Sequence, residues 1–351
     1  MGSPVAVWAI GRWFWWTGQS SNEVIMGVTV VIARAGGAIR RGEPTAYSCN
    51  VPLRVSPSRY SQVAVAALAM LCTIVLSGAL VRLTGSGLGC DDWPNCNSQK
   101  FVDVSSTHAA IEQVNRLFTG LVSASVVAAV LMAYLRSPRR RDLVLLAWGL
   151  VAGVIAQIVI GGIVVLTGLH PLWNMAHFLV SMLLVTCAFL LERSSRLDSS
   201  AGRWRDVPDG IAAAHASLVV AAAVAVTTGT VVTATGPHAG DENAARLGFE
   251  LRNVVRVHST SVILCTGLLA WLLWKTRSVA DRQGMSLRQS LSVLGFVAIA
   301  QGALGYAQYF TGVPVLLVAV HIAGATAFWL AVCNVAFAPR PDEVLPVTAV
   351  R

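Results

Sequence analysis

Residues 300–321 read AQGALGYAQYFTGVPVLLVAVH, and residues 156–177 read AQIVIGGIVVLTGLHPLWNMAH. The two stretches agree at Ala156/Ala300, Gln157/Gln301, Gly161/Gly305, Thr167/Thr311, Gly168/Gly312 and His177/His321, each pair 144 positions apart. Pro171 and Pro314 fall one step out of register. Upstream, SGALVRLTG from Ser77 to Gly85 echoes TGTVVTATG from Thr228 to Gly236 at an offset of 151. A long unit used twice in an apolar chain predicts two helical bundles related by a pseudo-twofold axis rather than a solenoid of short repeats.

The chain is 55% hydrophobic and only 12% charged, with a mean hydropathy of +0.65. That composition cannot cover itself with a water-compatible surface, so the fold expected is an all-α integral membrane protein. Apolar runs of roughly 20 residues, enough to cross about 30 Å of hydrocarbon at 1.5 Å per residue, fall near 61–83, 107–135, 143–167, 171–191, 211–234, 254–274, 287–310 and 313–338. These make eight transmembrane helices, four to each bundle.

Charge asymmetry orients them. Arg136, Arg139, Arg140 and Arg141 follow the second run, Arg193, Arg196, Arg203 and Arg205 the fourth, and Lys275, Arg277, Arg282 and Arg288 surround the connection from sixth to seventh. Loops rich in Lys and Arg stay cytoplasmic. The alternate loops carry Asp91, Asp92 and Asp103, then Asp241, Glu242 and Glu250, and are expected to face outward, with both termini inside and the plasma membrane as the location. The net charge of +9 follows from the inside loops and is no sign of a nucleic-acid partner.

Residues 1–59 fit neither half. Val5 to Trp16 is interrupted by Arg12, Val24 to Ala33 is too short to span, and no basic start with an apolar core and small-residue cleavage site is visible. A weakly ordered cytoplasmic extension, or a misassigned start, is expected there. The expected order is then an extension at 1–59, an N-terminal bundle at 60–192, a cytoplasmic linker at 193–210, a C-terminal bundle at 211–338 and a tail at 339–351.

The first outer loop, TGSGLGCDDWPNCN from Thr84 to Asn97, holds Cys90 and Cys96 on the oxidising face. A disulfide is the favoured reading. A metal pair competes, but no His or further Cys lies close in sequence. Cys72, Cys187, Cys265 and Cys333 fall in spans and read as small apolar residues, while Cys49 lies in the N-terminal extension.

The second span opens THAAIEQVNRLFTG, which puts His108, Glu112, Asn115 and Arg116 at a membrane boundary. At 100° per residue, positions 108, 112 and 115 share one helix face. Ionisable groups within a span face the bundle interior or water and mark functional sites. Of the seven histidines, His170 and His238 read as loop residues and His215 as interfacial. His177, His258 and His321 lie a turn or two inside the outer ends of spans four, six and eight. One imidazole from each of two facing helices supplies both axial nitrogens of a heme iron, and His258 with His321 forms that pair in the second half. In the first half His177 matches His321, but the partner is open: the two repeat offsets select positions beside His108 or Asn115.

These residues resemble the heme A synthase family of membrane enzymes that convert heme O to heme A. VRLTGSGLGCDDWPNC, IEQVNR, GGIVVLTG, TGPHAGD and the doubled four-helix unit carry the resemblance over about 60–338. It implies oxidation of the C8 methyl of heme O to a formyl group by successive hydroxylations, with a heme b bound in the C-terminal half and the substrate in the N-terminal half. It implies His258 and His321 as heme b ligands, His177 as a substrate-side histidine and Glu112 as an acidic residue needed for catalysis. Where many members have Glu-x-x-His-Arg, this chain has Glu112-Gln-Val-Asn115-Arg116, so the second substrate-side histidine is missing. Either His108 substitutes or the substrate iron keeps one protein ligand. The loop from Pro237 to Arg252 lacks the second cysteine pair of some relatives. Expected partners are heme O, membrane lipid, heme O synthase, cytochrome c oxidase assembly factors and a second copy of the chain. Two other classes remain open: a di-heme, quinol-linked electron carrier, which needs the histidines but no reactive carboxylate, and a transporter, which needs no heme.

Overall fold

A computed structural model describes residues 54–197, 204–279 and 281–337. The expected extension at 1–59 lies almost wholly outside the described residues, as do the tail at 339–351 and the middle of the linker.

Among the described residues there are eight long α-helices, each apolar enough to cross a membrane. They are α1 (Pro57–Leu83), α2 (Thr107–Leu135), α3 (Arg141–Leu166), α4 (Pro171–Ser195), α5 (Asp209–Thr235), α6 (Leu251–Lys275), α7 (Arg282–Phe310) and α8 (Val315–Phe337). At 1.5 Å per residue even the shortest exceeds the roughly 30 Å of hydrocarbon. The chain is a multi-pass membrane protein. Side chains such as Leu145, Phe296 and Ile299, each more than 70% exposed, are placed for lipid rather than water.

Helix ends are set locally. Ser56 and Ser106 accept hydrogen bonds through Oγ from Arg59 N and Ala109 N, and Asp281 Oδ1 accepts from Gly284 N. Each is an N-cap that satisfies one of the otherwise unpaired first-turn donors. The ends of α3 and α7 repeat one another. Thr167 and Thr311 are the C-caps, and Gly168 and Gly312 take positive φ of 60° and 83°. Leu169 N and Val313 N then reach back to Val164 O and Gln308 O at 2.8 and 2.7 Å. A left-handed residue at this position turns the chain sharply, and glycine adopts it without a Cβ penalty. The residues that follow, Leu169 at 62° and Val313 at 59°, stay left-handed as well. The same turn therefore starts α4 and α8, each eight residues ahead of its histidine.

In the first half α1 packs against α2 and α4, and α3 against α2 and α4; in the second, α6 packs against α5 and α7, and α8 against α5 and α7. The tightly buried side chains gather near the arginine-rich ends. Tyr60, Leu143, Leu150 and Leu191 do so in one half, and Leu218, Leu272, Leu291, Leu294 and Val335 in the other. Toward the opposite ends the packing opens: from Ile299 to Phe310 no side chain of α7 is buried.

The two halves meet along α1, α4, α5 and α8. Arg82 donates to His238 O and Thr233 O at 2.7 and 2.8 Å. Gly87 N donates to Gly240 O at 2.9 Å, and the Leu169 side chain fills the space over both glycines. Deeper in, Trp329 Nε1 donates to Met182 O and Thr186 Oγ1. At the arginine-rich side Arg193 reaches Asn334 Oδ1, and Arg205 reaches Ser290 Oγ and Asn334 O. Burial, with Arg193 nearby, pulls the Arg205 guanidinium down to about 10. In lipid such bonds and close packing replace the hydrophobic drive that joins soluble bundles.

His215 departs from expectation. It is fully buried rather than interfacial, because Nε2 pairs with Val335 O of α8 and Trp204 stands edge-on against its ring. His238 is half-buried, with Nε2 against Val313 O at 2.8 Å. His170 is exposed, as a loop histidine should be.

Candidate functional site

The open ends of the bundles hold the histidines. His177 is the seventh residue of α4 and His321 the seventh of α8. Each has its own carbonyl bonded from the neighbouring helix, His177 O by Gln157 Nε2 at 3.0 Å and His321 O by Gln301 Nε2 at 2.9 Å. Each ring rests against a glycine of that helix. A Cβ on Gly161 would lie 3.4 Å from His177 Cε1, and one on Gly305 would lie 3.3 Å from His321 Cε1. Both Nδ1 atoms are buried without a hydrogen-bond partner. A buried polar atom left unpaired is costly and calls for an explanation; here the same atom is left unpaired twice, at matching positions.

His258 of α6 is built differently. Its Nδ1 pairs with Thr228 Oγ1 of α5 at 3.1 Å, and Thr228 in turn bonds Ser261 Oγ at 2.9 Å. Fixing one ring nitrogen sets the ring's orientation and commits the other to whatever it faces. Gly229 makes room for the ring, since a Cβ there would stand 3.2 Å from His258 Cε1. His258 and His321 lie within electrostatic range of each other. Two imidazoles from different helices, each cradled by a glycine in the loosely packed end of one bundle, are the donor set that an iron porphyrin held by two histidines requires.

In the first half, Ser77 Oγ of α1 donates to Asn115 Oδ1 of α2 at 2.8 Å. Ser77 stands where Thr228 stands in the echoed stretch, so Asn115 occupies the place that His258 holds in the second half. Gly78, matching Gly229, has nothing within 4 Å of where its Cβ would be. His108 is exposed at the start of α2, with Nδ1 against Ser86 Oγ at 2.9 Å.

Glu112 is 5% exposed and belongs to the loop between α1 and α2 as much as to α2. Its Oε2 accepts from Cys90 N at 2.8 Å, and its Oε1 accepts from Arg116 Nε and Nη2 at 3.1 and 2.7 Å. Arg116 also donates to Asn95 O and Asp92 O. Cys90 and Cys96 form a disulfide, so the pair Glu112–Arg116 clamps the covalent loop onto α2 from inside. Trp93 at the loop's tip packs on Gly162 of α3, where a Cβ would come within 2.8 Å of the indole. Farther along, hydrogen bonds from Ser105, with Lys100 beside it, hold the Asp103 carboxyl below the usual carboxylate range.

The sequence had singled out the histidines and Glu112 but not their supports. Thr228, Gly229, Ser77 and Gly78 stand in the echoed stretch, and Gln157, Gln301, Gly161 and Gly305 in the longer one. Their recurrence was visible, yet recurrence alone does not say that a residue touches a histidine.

Fold and site together define an eight-span helical membrane protein with imidazoles set between the helices of its bundles. The chain belongs to the cytochrome oxidase assembly protein family, whose model matches residues 61–333. It is similar to proteins named heme A synthase. One from Lysinibacillus sphaericus is 35% identical over 130 residues, covering 37% of this chain and 42% of that protein. One from Listeria welshimeri is 33% identical over 129 residues, 35% of this chain and 42% of that protein. One from Bacillus pumilus is 29% identical over 124 residues, 35% and 40% respectively. The matched stretches thus span less than half the length of these relatives.

Proposed function

We propose that the protein is a heme A synthase, oxidising the C8 methyl of heme O to a formyl group by successive hydroxylations in support of cytochrome c oxidase. The observation that carries this reading is the pair His258 and His321, each against a glycine in the open end of one bundle, in a chain of the cytochrome oxidase assembly family. His258 and His321 would hold a heme b in the C-terminal bundle, 211–338, and the N-terminal bundle, 60–192, would take heme O against His177. A heme b bound there would supply one-electron redox capacity.

The residues of this chain have distinct tasks in that scheme. Thr228 fixes the His258 ring, and Gln301 braces the turn of α8 that carries His321. Gln157 braces His177 in the same way. Glu112 supplies a carboxylate at the outer end of α2, where positive charge developing at the substrate methyl would meet it, or where a proton leaving that carbon would be taken up. Arg116 and the Cys90 amide keep that carboxylate from swinging. The farnesyl tail of heme O would enter from lipid. The arginine-rich loops would be cytoplasmic and the Cys90–Cys96 loop outward, in the plasma membrane, with heme O synthase, oxidase assembly factors and a second copy of the chain as candidate neighbours.

The test is heme extraction from cells lacking the protein. Heme A should disappear and heme O accumulate, and the intact gene should reverse both changes. Unchanged heme A would reject the synthase and leave a di-heme electron carrier as the better reading; a preparation that purifies without heme would point to a transporter.

A further inference from the structure

The two halves are not equivalent where their ligands should be. In the second half Thr228 holds His258, whose ring lies against Gly229. In the first half the matching hydroxyl, Ser77, holds the carboxamide of Asn115, and the matching glycine, Gly78, faces open space. The other histidine in the neighbourhood, His108, is two turns closer to the end of α2, exposed, and tied to Ser86. Its place is fixed further by Gly89, where any Cβ would collide with the His108 carbonyl, so the loop backbone sits directly on that turn. His177 therefore stands alone in the first half, while its counterpart His321 faces a second imidazole.

We infer that the first-half site binds iron porphyrin through His177 only, and that the opposite axial side, bounded by Ser77, Gly78 and Asn115, is a binding position for a small neutral molecule such as a diatomic gas. This rests on the reading of the histidines as heme ligands. The asymmetry has a chemical use. An iron with two imidazoles can pass electrons but has no free position, whereas one with a single imidazole can take an exogenous ligand. Asn115 suits that position better than histidine, because its side chain is shorter and its amide Nδ2 carries donors that the Ser77 hydroxyl does not use. Ser77 and Asn115 together form a polar pair between α1 and α2.

The experiment uses the full chain purified in detergent, loaded with hemin as the stand-in for both porphyrins, reduced with dithionite and exposed to carbon monoxide. The expected result is two spectral populations, one low-spin and inert, the other high-spin and converted by carbon monoxide. In Asn115→His the second population should become low-spin and its carbon monoxide response fall at least about tenfold; in His177→Ala that population should vanish while the inert one remains. Two inert low-spin hemes in the unaltered protein would overturn the inference without any variant being needed. A carbon monoxide response that grows in His108→Ala would also overturn it, by making His108 the second ligand. Failure to bind hemin at all, or low-spin heme surviving intact in both His258→Ala and His321→Ala, would instead overturn the heme reading beneath it. The two failures are thus told apart by which population is missing.

Discussion

Replacing Arg116 with alanine should loosen the loop between α1 and α2 by a calculable amount. The guanidinium makes two bonds to Glu112 Oε1, at 2.7 and 3.1 Å, and one each to Asn95 O and Asp92 O, at 2.9 and 3.1 Å. Removing one partner of a buried ion pair costs about 3–5 kcal/mol. The side chains of Arg116 and Glu112 are 19% and 6% exposed, so solvent screens part of this, and about 2–3 kcal/mol is the reasonable expectation. Cys90 and Cys96 are 0% and 1% exposed, so a reductant must wait for the loop to open. At about 1.4 kcal/mol per decade, opening should become about 30- to 150-fold more frequent. The assay is the rate at which a water-soluble phosphine reduces the disulfide, followed by alkylation and mass measurement. Arg116→Lys should fall between, since an ammonium keeps the charge but not the fork. Reduction of Arg116→Ala within about threefold of the unaltered rate would refute the clamp and release Glu112 from its structural role.

Further outcomes are expected at the other positions. His258→Ala and His321→Ala should each abolish low-spin heme b, read from the reduced spectrum, and activity with it; a normal low-spin spectrum in both would sink the assignment. Gly229→Val puts methyl groups where the His258 ring now lies, at a cost of about 1–3 kcal/mol in overpacking, and should lower heme b per protein by about tenfold or more. Glu112→Gln should leave heme b in place and stop conversion, measured as heme A formed per heme b bound; full turnover would remove the carboxylate from the chemistry. Leu169→Ala empties the space between Gly87 and Gly240 and should destabilise the seam between the halves by about 2–5 kcal/mol, seen as a lower midpoint of thermal unfolding.

Most of the fold was legible because lipid imposes a simple rule. Spans expected at 107–135 and 171–191 correspond to Thr107–Leu135 and Pro171–Ser195, and the largest shifts come at basic or capped ends such as Arg282, where polar residues extend a helix past the hydrocarbon. The position equivalent to His258 was legible only as a choice, because the repeat offsets left it beside His108 or Asn115 and the family resemblance alone pointed to Asn115. The connection between α1 and α2 runs from 84 to 106 and the matching one between α5 and α6 from 236 to 250, eight residues shorter. The extra length includes the disulfide loop, and it moves the repeat offset between Ser77 and Asn115. The hydrogen bond from Ser77 to Asn115 selects between the two and brings the halves back into register. The double engagement of Glu112 was hidden for a related reason: one of its partners is a backbone amide in an irregular loop, and hydropathy and helical periodicity carry no information about where such an amide points.

Arg82 and Thr233 hold matching places in the two echoed stretches, and in the folded chain the first donates to the carbonyl of the second. Such a position meets its own counterpart. Had the two halves been identical copies associating side by side, the backbone carbonyl would still have been offered, but two guanidinium groups would have converged on one place in a seam of low dielectric, where like charges repel strongly. With both copies joined in one polypeptide, the cation stands on one side and a threonine on the other. The seam is thus asymmetric at the point where the repeat meets itself, and a second copy of the N-terminal half set against the first would bring the two cations face to face.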